Sequence, residues 1–228
     1  MKRGIKNKIK NRNGFTLVEL IIAILLSMVA MTAIYSSYFT QIKSYTVQQQ
    51  VTAMQQNIRA ALMFLERETR LAGCDPTGDV SPEPGILVAN ANSIQFTMDI
   101  NDNTNTYNAD GDVGDTDENV TYILSGNNLQ RNGTAIAEYI DALDFVYLDN
   151  SSPPVVLNPA GTNVSAANTP RIRSIEVTIV ARTENIDRDI NNSQSFSNQQ
   201  GMEILPAQND TYRRRRLTTH IKCRNLFL

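Results

Sequence analysis

The sequence predicts an α+β fold in which one long N-terminal helix packs under a mostly antiparallel β-sheet domain. Three observations predict it. Residues 15–34 are almost continuously apolar, and the following stretch to residue 72 keeps an apolar stripe at steps of three and four. After residue 73, short segments rich in β-branched and aromatic residues are separated by Gly, Asn and Pro. A helical period followed by strand-like segments indicates helix and sheet in separate parts of the chain.

A basic leader precedes the apolar run. Residues 1–13 hold six of the 21 Lys and Arg and no acid, which leaves 15 cations against 23 acids in the rest of the chain. Residues 15–34 are about long enough to span a bilayer, and the positive-inside tendency keeps the leader in the cytoplasm and exports the remainder. A cleavable secretory signal is the alternative, but the run is long for one and lacks a small-x-small cleavage site.

Glu19 lies inside this apolar run. A carboxylate in a bilayer is costly unless it is paired, so an acid at such a position indicates a function.

The helix is expected to cover residues 15–72, because Gly73 followed by Asp75-Pro76 is a typical stop signal. Its stripe in the second half predicts one face packed under the C-terminal domain. That stripe consists of Val47, Val51, Met54, Ile58, Leu62, Leu65 and Ala72.

Strands are predicted after the helix, with hairpin turns at Ser125-Gly126-Asn127 and Asn132-Gly133. Polar segments rich in Asn, Ser and Pro predict loops at 75–92, 149–170 and 183–212. The predicted strands are residues 94–98, 120–124, 128–131, 142–148, 172–181 and 216–226.

The start of the apolar run carries a specific motif, Gly14-Phe15-Thr16-Leu17-Val18-Glu19-Leu20. It resembles the processing site of the type IV pilin superfamily. The resemblance implies that a prepilin peptidase cleaves after Gly14, that Phe15 becomes the N-methylated first residue, and that Glu19 docks against a neighbouring subunit. It also implies three parts: a cleaved leader (1–14), a long helix (15–72, with 15–34 in the membrane or fibre core) and a periplasmic or extracellular β-rich domain (73–228).

Four further segments resemble PilW-type minor pilins: residues 56–74, 122–133, 140–148, and 213–217 with 224–226. The resemblance implies a minor pilin of the priming or tip complex, with other minor and major pilins, the prepilin peptidase and the inner-membrane assembly platform as partners. It implies a single-pass inner-membrane protein before assembly and a position in the pilus, at its tip, afterwards. The alternatives are a GspJ-type minor pseudopilin of type II secretion, and a tip adhesin or DNA-uptake module.

An acidic segment between residues 99 and 118 supplies oxygen donors on a loop rich in Gly and Asn, as Ca²⁺ requires. Its spacing does not complete an EF-hand, and a solvated acidic loop is the alternative. Some pseudopilins hold Ca²⁺ in such loops. The candidate ligands are Asp99, Asn101, Asp110, Asp112 and Asp117.

Cys74 and Cys223 are the two cysteines. A disulfide in an oxidising periplasm and a pair of buried free thiols are the alternatives. The run Arg213-Arg214-Arg215-Arg216 fits DNA, an anionic lipid or an acidic partner, or else a solvated strand edge that discourages aggregation.

No catalytic motif occurs: there is no Gly-x-Ser-x-Gly motif, no phosphate loop and no His-x-x-x-His spacing. We therefore expect no enzymatic activity. The acidic balance of the chain after the leader also argues against nucleic acid as a partner.

Overall fold

The computed structural model describes residues 14–81, 83–102, 104 and 106–226. The chain forms two compact units, the first ending at Gln48 and the second beginning at Gln49. The predicted leader, apart from Gly14, lies outside the described residues.

Helix α1 (Leu17–Leu71) is a single helix of 55 residues that contributes to both units. It ends where the sequence predicts, because Gly73 adopts a φ of +79°, which L side chains rarely take. A Cβ at Gly73 would also lie 2.6 Å from Cδ2 of Leu226, so a larger residue there would have to displace that side chain. The predicted bounds differ from those observed by two residues at the start and one at the end.

The second unit is built from three antiparallel sheets. One has five strands in the order β1-β2-β3-β4-β5, one has three in the order β10-β7-β6, and one is the β8-β9 pair. The strands are β1 (Ile86–Ala89), β2 (Ser93–Thr97), β3 (Asn119–Ser125), β4 (Asn128–Arg131), β5 (Thr134–Ala137), β6 (Ile140–Leu148), β7 (Ser174–Arg182), β8 (Phe196–Ser197), β9 (Glu203–Leu205) and β10 (Arg214–Lys222). The predicted fold class is confirmed.

All six predicted strands are present, and both predicted hairpin turns are formed. Asn132 and Gly133 have φ values of +48° and +80°, as a two-residue hairpin turn between β4 and β5 requires. The predicted loops 75–92 and 183–212 were wrong in part, because β1 lies in the first and β8 and β9 lie in the second. Strands of two to four residues have too few positions to show an alternating pattern, and only their pairing partners define them.

The helical stripe packs into the main core of the second unit. Met54, Ile58, Leu62 and Leu65 are each less than 7% exposed and belong to one cluster with residues of both larger sheets. The predicted burial of this face is therefore confirmed from Val51 onward, whereas Val47 is partly exposed and does not belong to the cluster. Strand β6 is buried on both faces: Leu143, Phe145 and Tyr147 belong to the main core, whereas Ala142 packs in a second, smaller cluster with residues of β7, β8 and β9.

A buried ionic contact joins α1 to the five-stranded sheet. Glu68 is 7% exposed, and its carboxylate accepts hydrogen bonds from the Tyr122 hydroxyl (2.6 Å) and from Nε of Arg131 (2.9 Å). Burial, and then the Glu68 carboxylate, raise the pKa of Tyr122, which stays a neutral donor. This contact orients the last helical turns on the sheet, since apolar packing alone leaves rotation about the helix axis less defined.

Asp149 organises the segment that follows β6. The backbone N–H groups of Val155 and Ser151 donate to its carboxylate and lower its pKa to about 2, against an ordinary value of 3.8. Burial opposes this shift of the pKa. Arg171 pairs with the same carboxylate at 3.0 Å. A carboxyl group whose pKa is depressed by folding stabilises the fold when ionised. Its contribution is complete above a pH of about 4 and is lost as the pH falls through 2.

We therefore expect Asp149→Asn to be less stable than the unmodified chain at pH 5, and the two to converge at pH 2. Urea unfolding of the detergent-solubilised chain at pH 2, 3 and 5 measures this. Glu203→Gln, at an exposed position of β9, is the control with the same change of charge. A stability difference for Asp149→Asn that did not change between pH 5 and pH 2 would contradict the assigned role.

Candidate functional site

The first unit presents an exposed apolar helix surface. Every residue from 14 to 46 is exposed, including large side chains such as Phe15 (84%) and Leu17 (72%). By length and composition, helix α1 is one that a membrane could accommodate, with its most apolar stretch not covered by any part of the chain. So much unburied apolar surface indicates a surface that contacts lipid or other protein chains.

The Gly14–Phe15 peptide lies just before this helix, in the non-helical residues 14–16. Gly14 is exposed, and nothing lies within 4 Å of the position that a Cβ would take there. The backbone at the predicted cleavage position is therefore open to an enzyme that approaches it.

Glu19 closes the N-terminus of its own helix. The N–H and hydroxyl of Thr16 donate to Oε2 of Glu19 at 2.9 and 3.0 Å, and the N–H of Glu19 donates to the Thr16 hydroxyl at 3.2 Å. This reciprocal arrangement is a capping box, which satisfies N–H groups that the first helical turn leaves unpaired. This role was not predicted, although Thr16 and Glu19 have the Thr-x-x-Glu spacing that is typical of it.

The hydroxyl groups further along this helix bond to their own backbone. Ser27 donates to the Ala23 carbonyl at 2.7 Å and Thr32 to the Met28 carbonyl at 2.8 Å. These side chains therefore need no partner outside the helix. Glu19 is the one charged side chain between residues 14 and 42, so it is the group in this segment that a neighbouring charge would affect most.

The acidic loop brings together only part of the predicted Ca²⁺ ligand set. Carboxylate oxygens of Asp110, Asp112 and Asp115 all lie within 4.8 Å of one another. Burial, and then the charges of Asp110 and Asp112, raise the pKa of Asp115, and its Oδ2 is buried without a hydrogen-bond partner. These three residues have the chemistry of a cation site, and Ca²⁺ there stays a prediction.

The other predicted ligands are used elsewhere. Asp99 is fully buried and accepts the backbone N–H groups of Asp110 and Gly111, both at 3.2 Å. Asn101 donates to the Thr116 carbonyl, and Asp117 pairs with Arg131 at 2.8 Å. These three side chains thus have partners of their own within the chain, and their role as Ca²⁺ ligands stays a prediction.

Glu118 is a further functional residue of this loop, and it was not among the predicted ligands. It is fully buried, and its carboxylate accepts the N–H groups of Ile100, Asn101 and Asp115 at 2.9 to 3.1 Å. Sequence spacing does not separate such a loop-organising acid from a metal ligand, since both are Asp or Glu among turn residues.

Both cysteines are free thiols in the structure. Cys223 is fully buried, and burial raises the pKa of its thiol to about 12; Cys74 is half-buried, and burial together with the charges of Asp99 and Asp75 raises its pKa. The disulfide is therefore not formed in this structure; Cys223 matches the alternative of a buried free thiol, whereas Cys74 is only partly buried.

The four-arginine run is mostly engaged within the chain. Arg213 pairs with Asp187 at 2.7 Å, and Arg214 pairs with Asp141 and Asp210, both at 2.6 Å. Arg216 donates to the Ser197 carbonyl at 2.6 Å. Among the described residues, three of the four arginines therefore bind groups of β6, β8 and two loops, and they do not form a free basic patch.

The comparisons with known proteins agree with the motif and the fold. The model of the prokaryotic N-terminal methylation motif matches residues 9–35. A type IV-like pilin from Thermus thermophilus has a similar structure, with a TM-score of 0.53 and 12% identity over 75% of this chain and 96% of that chain. No curated protein matches the sequence. The chain therefore carries the N-terminal methylation motif and has a type IV pilin-like fold.

Proposed function

We propose that this chain, with its N-terminal methylation motif and type IV pilin-like fold, is a minor pilin that takes part in type IV pilus assembly, in the priming or tip complex. In this role a prepilin peptidase cleaves between Gly14 and Phe15, and Phe15 becomes the methylated terminus. The new helix start then packs among the helices of other minor and major pilins, delivered by the inner-membrane assembly platform. The chain itself performs no catalysis.

One observation carries the proposal. The exposed Gly14–Phe15 peptide directly precedes a helix whose residues to 46 are all exposed and which holds one carboxylate, Glu19, in its first turn. An apolar helix suits the bilayer before assembly and a helix-packed fibre after it. A carboxylate in either place is stable only when it is paired.

Cleavage creates a charged amino terminus on each subunit, and the amino terminus of a neighbouring subunit is the partner that Glu19 needs in a fibre. The amine of Phe15 that forms on cleavage is a cation, and it lies within one turn of the Thr16–Glu19 capping box. In a fibre, the carboxylate of one subunit faces amino termini of others, and an opposite charge in a medium of low dielectric is the strongest interaction that this segment offers. Glu19 therefore caps its own helix in the single chain and sets subunit register in the fibre.

Processing is tested first. The protein is isolated from membranes of its native host, with and without the prepilin peptidase, and its intact mass and amino-terminal sequence are determined. We expect N-methyl-Phe15 in the first strain and an unprocessed terminus in the second. An uncut Met1 in both strains would overturn the proposal.

The role of Glu19 is tested by Glu19→Ala and Glu19→Gln. We expect both to be cleaved normally but to be incorporated into fibres about tenfold less or worse, because an unpaired buried charge on the neighbouring terminus costs several kcal/mol. Gln keeps an oxygen that can accept from Thr16, so failure of both variants assigns the defect to the lost charge and not to the lost cap. Quantitative immunoblots of sheared fibres measure incorporation.

The control is Ser27→Ala, since its hydroxyl bonds only to its own helix. Normal incorporation of Glu19→Gln would contradict charge pairing, and poor incorporation of Ser27→Ala would show that the helix tolerates no change at all.

A GspJ-type minor pseudopilin of type II secretion would be processed in the same way, so deletion of the gene separates the two. Loss of pili supports the proposal, whereas loss of secretion with normal pili favours the pseudopilin. A tip adhesin or DNA-uptake module would give normal pilus number with loss of attachment or uptake. The engagement of Arg213, Arg214 and Arg216 within the chain offers the DNA-binding alternative no support.

A further inference from the structure

A pocket of about 170 Å³ lies in the second unit, on the face of β6 that points away from the main core. Its lining combines Asp144 and Val146 of β6 with Val156, Asn198 and Met202. Ala142, on the same face of β6, packs against Phe196 and Leu205, so the β8-β9 pair covers this face beside the pocket. The pocket is therefore set between a sheet and the loops on either side of it.

Asp144 brings a buried carboxylate to this pocket. The residue is 4% exposed. It accepts one side-chain hydrogen bond, from Nδ2 of Asn198 to Oδ2 at 2.9 Å. Among the residues that the structure describes, Oδ1 has no hydrogen-bond donor and no cation pairs with the carboxylate. Arg182 of the adjacent strand β7 pairs with Asp141, and Arg216 of β10 donates to the Ser197 carbonyl.

The amide groups around Asp144 are already bonded within the protein. Asn158 donates to the Phe145 carbonyl (2.7 Å) and accepts from the Tyr147 N–H (2.9 Å). Asn198 accepts the N–H groups of Gln200 and Met202, and Nε2 of Gln200 donates to Glu176. Each of these amide nitrogens keeps one N–H, so the feature that distinguishes the pocket is the carboxylate of Asp144, whose Oδ1 has no donor among the described residues. Such a pocket selects a cationic donor and disfavours an anion.

We propose that this pocket is a binding site for a primary alkylammonium group, with Asp144 pairing the ammonium and Val146, Val156 and Met202 contacting the alkyl chain. This inference does not depend on the proposed assembly role. A cavity of about 150 Å³ holds a benzene-sized molecule, so 170 Å³ has room for a four-carbon chain with its head group. An ammonium group fits better than a guanidinium, whose five N–H donors need a planar set of acceptors that the pocket does not offer.

The titration behaviour of Asp144 agrees with this arrangement. Burial raises the pKa of Asp144, and the hydrogen bond from Asn198 opposes that rise only in part. A cation beside the carboxylate would restore its ionised form, because an opposite charge at contact distance favours ionisation.

The test is a titration of the full chain in neutral detergent micelles with n-butylammonium chloride, followed by NMR of the Val and Met methyl groups and the Asn side-chain amides. We expect saturable shifts at Val146, Met202 and Asn198, with a dissociation constant of about 1 to 10 mM, as suits a ligand of this size. Sodium butyrate at the same concentration is expected to give none. The absence of saturable shifts with n-butylammonium would overturn the proposal.

Two variants locate the site. Asp144→Asn keeps the shape and an acceptor for Asn198, and we expect it to weaken n-butylammonium binding by about tenfold or more. Glu138→Gln makes the same change of charge at an exposed position and should bind as the unmodified chain does. Val156→Phe fills the pocket while leaving Asp144 in place, so it gives an independent loss of binding if Asp144→Asn does not fold. Unchanged binding by a folded Asp144→Asn, or by Val156→Phe, would overturn the proposal.

A second probe, Nα-acetyl-lysine methylamide, distinguishes the two sources of the ammonium group, a lysine side chain and a free small amine. Binding as strong as that of n-butylammonium supports a lysine side chain on another polypeptide. Binding of n-butylammonium alone supports a free small amine.

Discussion

Replacement of Glu68 by Ala is expected to lower the free energy of unfolding of the second unit by about 3 kcal/mol. The substitution removes the carboxylate that receives Tyr122, which is fully buried, and Arg131, whose side chain is 21% exposed. The tyrosine hydroxyl would lose its partner in an environment without water, and a guanidinium would lose one of two carboxylates. This loss of unfolding free energy is at the lower end of the range for breaking a buried ion pair, because Arg131 keeps its contact with Asp117 at 2.8 Å.

Urea unfolding of the detergent-solubilised chain, followed by circular dichroism and tyrosine fluorescence, measures this change. Glu66→Ala is the matched control: Glu66 lies on the same helix and pairs with Arg70 at the surface, where an ion pair contributes about 0.5 kcal/mol or less. Glu68→Gln keeps an acceptor for Tyr122 and should lose less than Glu68→Ala. Equal losses of unfolding free energy for Glu66→Ala and Glu68→Ala would show that the buried contact stabilises the fold no more than the surface ion pair does.

Arg214→Ala is expected to cost a similar amount, about 3 kcal/mol. The Arg214 side chain is 2% exposed and holds two carboxylates at once, Asp141 through Nε and Asp210 through both terminal nitrogens at 2.6 to 2.7 Å. Hydrogen bonds to Asp210, and then to Asp141, raise the pKa of Arg214 against the effect of burial. Without this residue the buried Asp141 retains Arg182, while Asp210 loses its ion pair.

The neighbouring Arg215 provides the control, since it lies in the same strand but is exposed. Arg215→Ala should change stability by no more than about 0.5 kcal/mol. Arg214→Lys keeps the charge but cannot form the forked contact with Asp210. Its loss of stability should therefore be smaller than that of Arg214→Ala and larger than that of Arg215→Ala. The same urea unfolding experiment compares all three variants, and a loss for Arg215→Ala as large as that for Arg214→Ala would contradict the assignment.

The candidate site of the first unit consists of residues that are close together in the sequence. Most of what is known of this site could therefore be predicted from the sequence. Gly14, Phe15 and Glu19 lie within six residues of one another, and the motif that joins them needs no fold to be recognised. The apolar run and the helical stripe that follows it extend over many turns, so their period is unambiguous. The long strands β6, β7 and β10 and the Asn132-Gly133 turn were predictable for the same reason: each carries its signal within its own residues.

The acidic loop shows where local reasoning stops. Asp99, Asn101 and Asp117 look like ligands in the sequence, yet their side chains bond to backbone amides, to a carbonyl and to Arg131. Asp115 was not selected, and it is the residue that completes the carboxylate cluster. Which oxygens converge depends on turns whose geometry is set by contacts between segments, and spacing along the chain does not contain that information.

The sequence by itself therefore determined the processing motif, the apolar helix, the longer strands and the α+β class, because each follows from a period or a motif carried by consecutive residues. Only the tertiary structure decided that Glu68 faces Tyr122 and Arg131, that three arginines of one run bind different segments of the chain, and that Asp144 lies at a pocket. These pairs join residues up to 73 positions apart. Their formation depends on how the sheets and the helix pack, because burial removes water as the competing partner and makes each unpaired group costly.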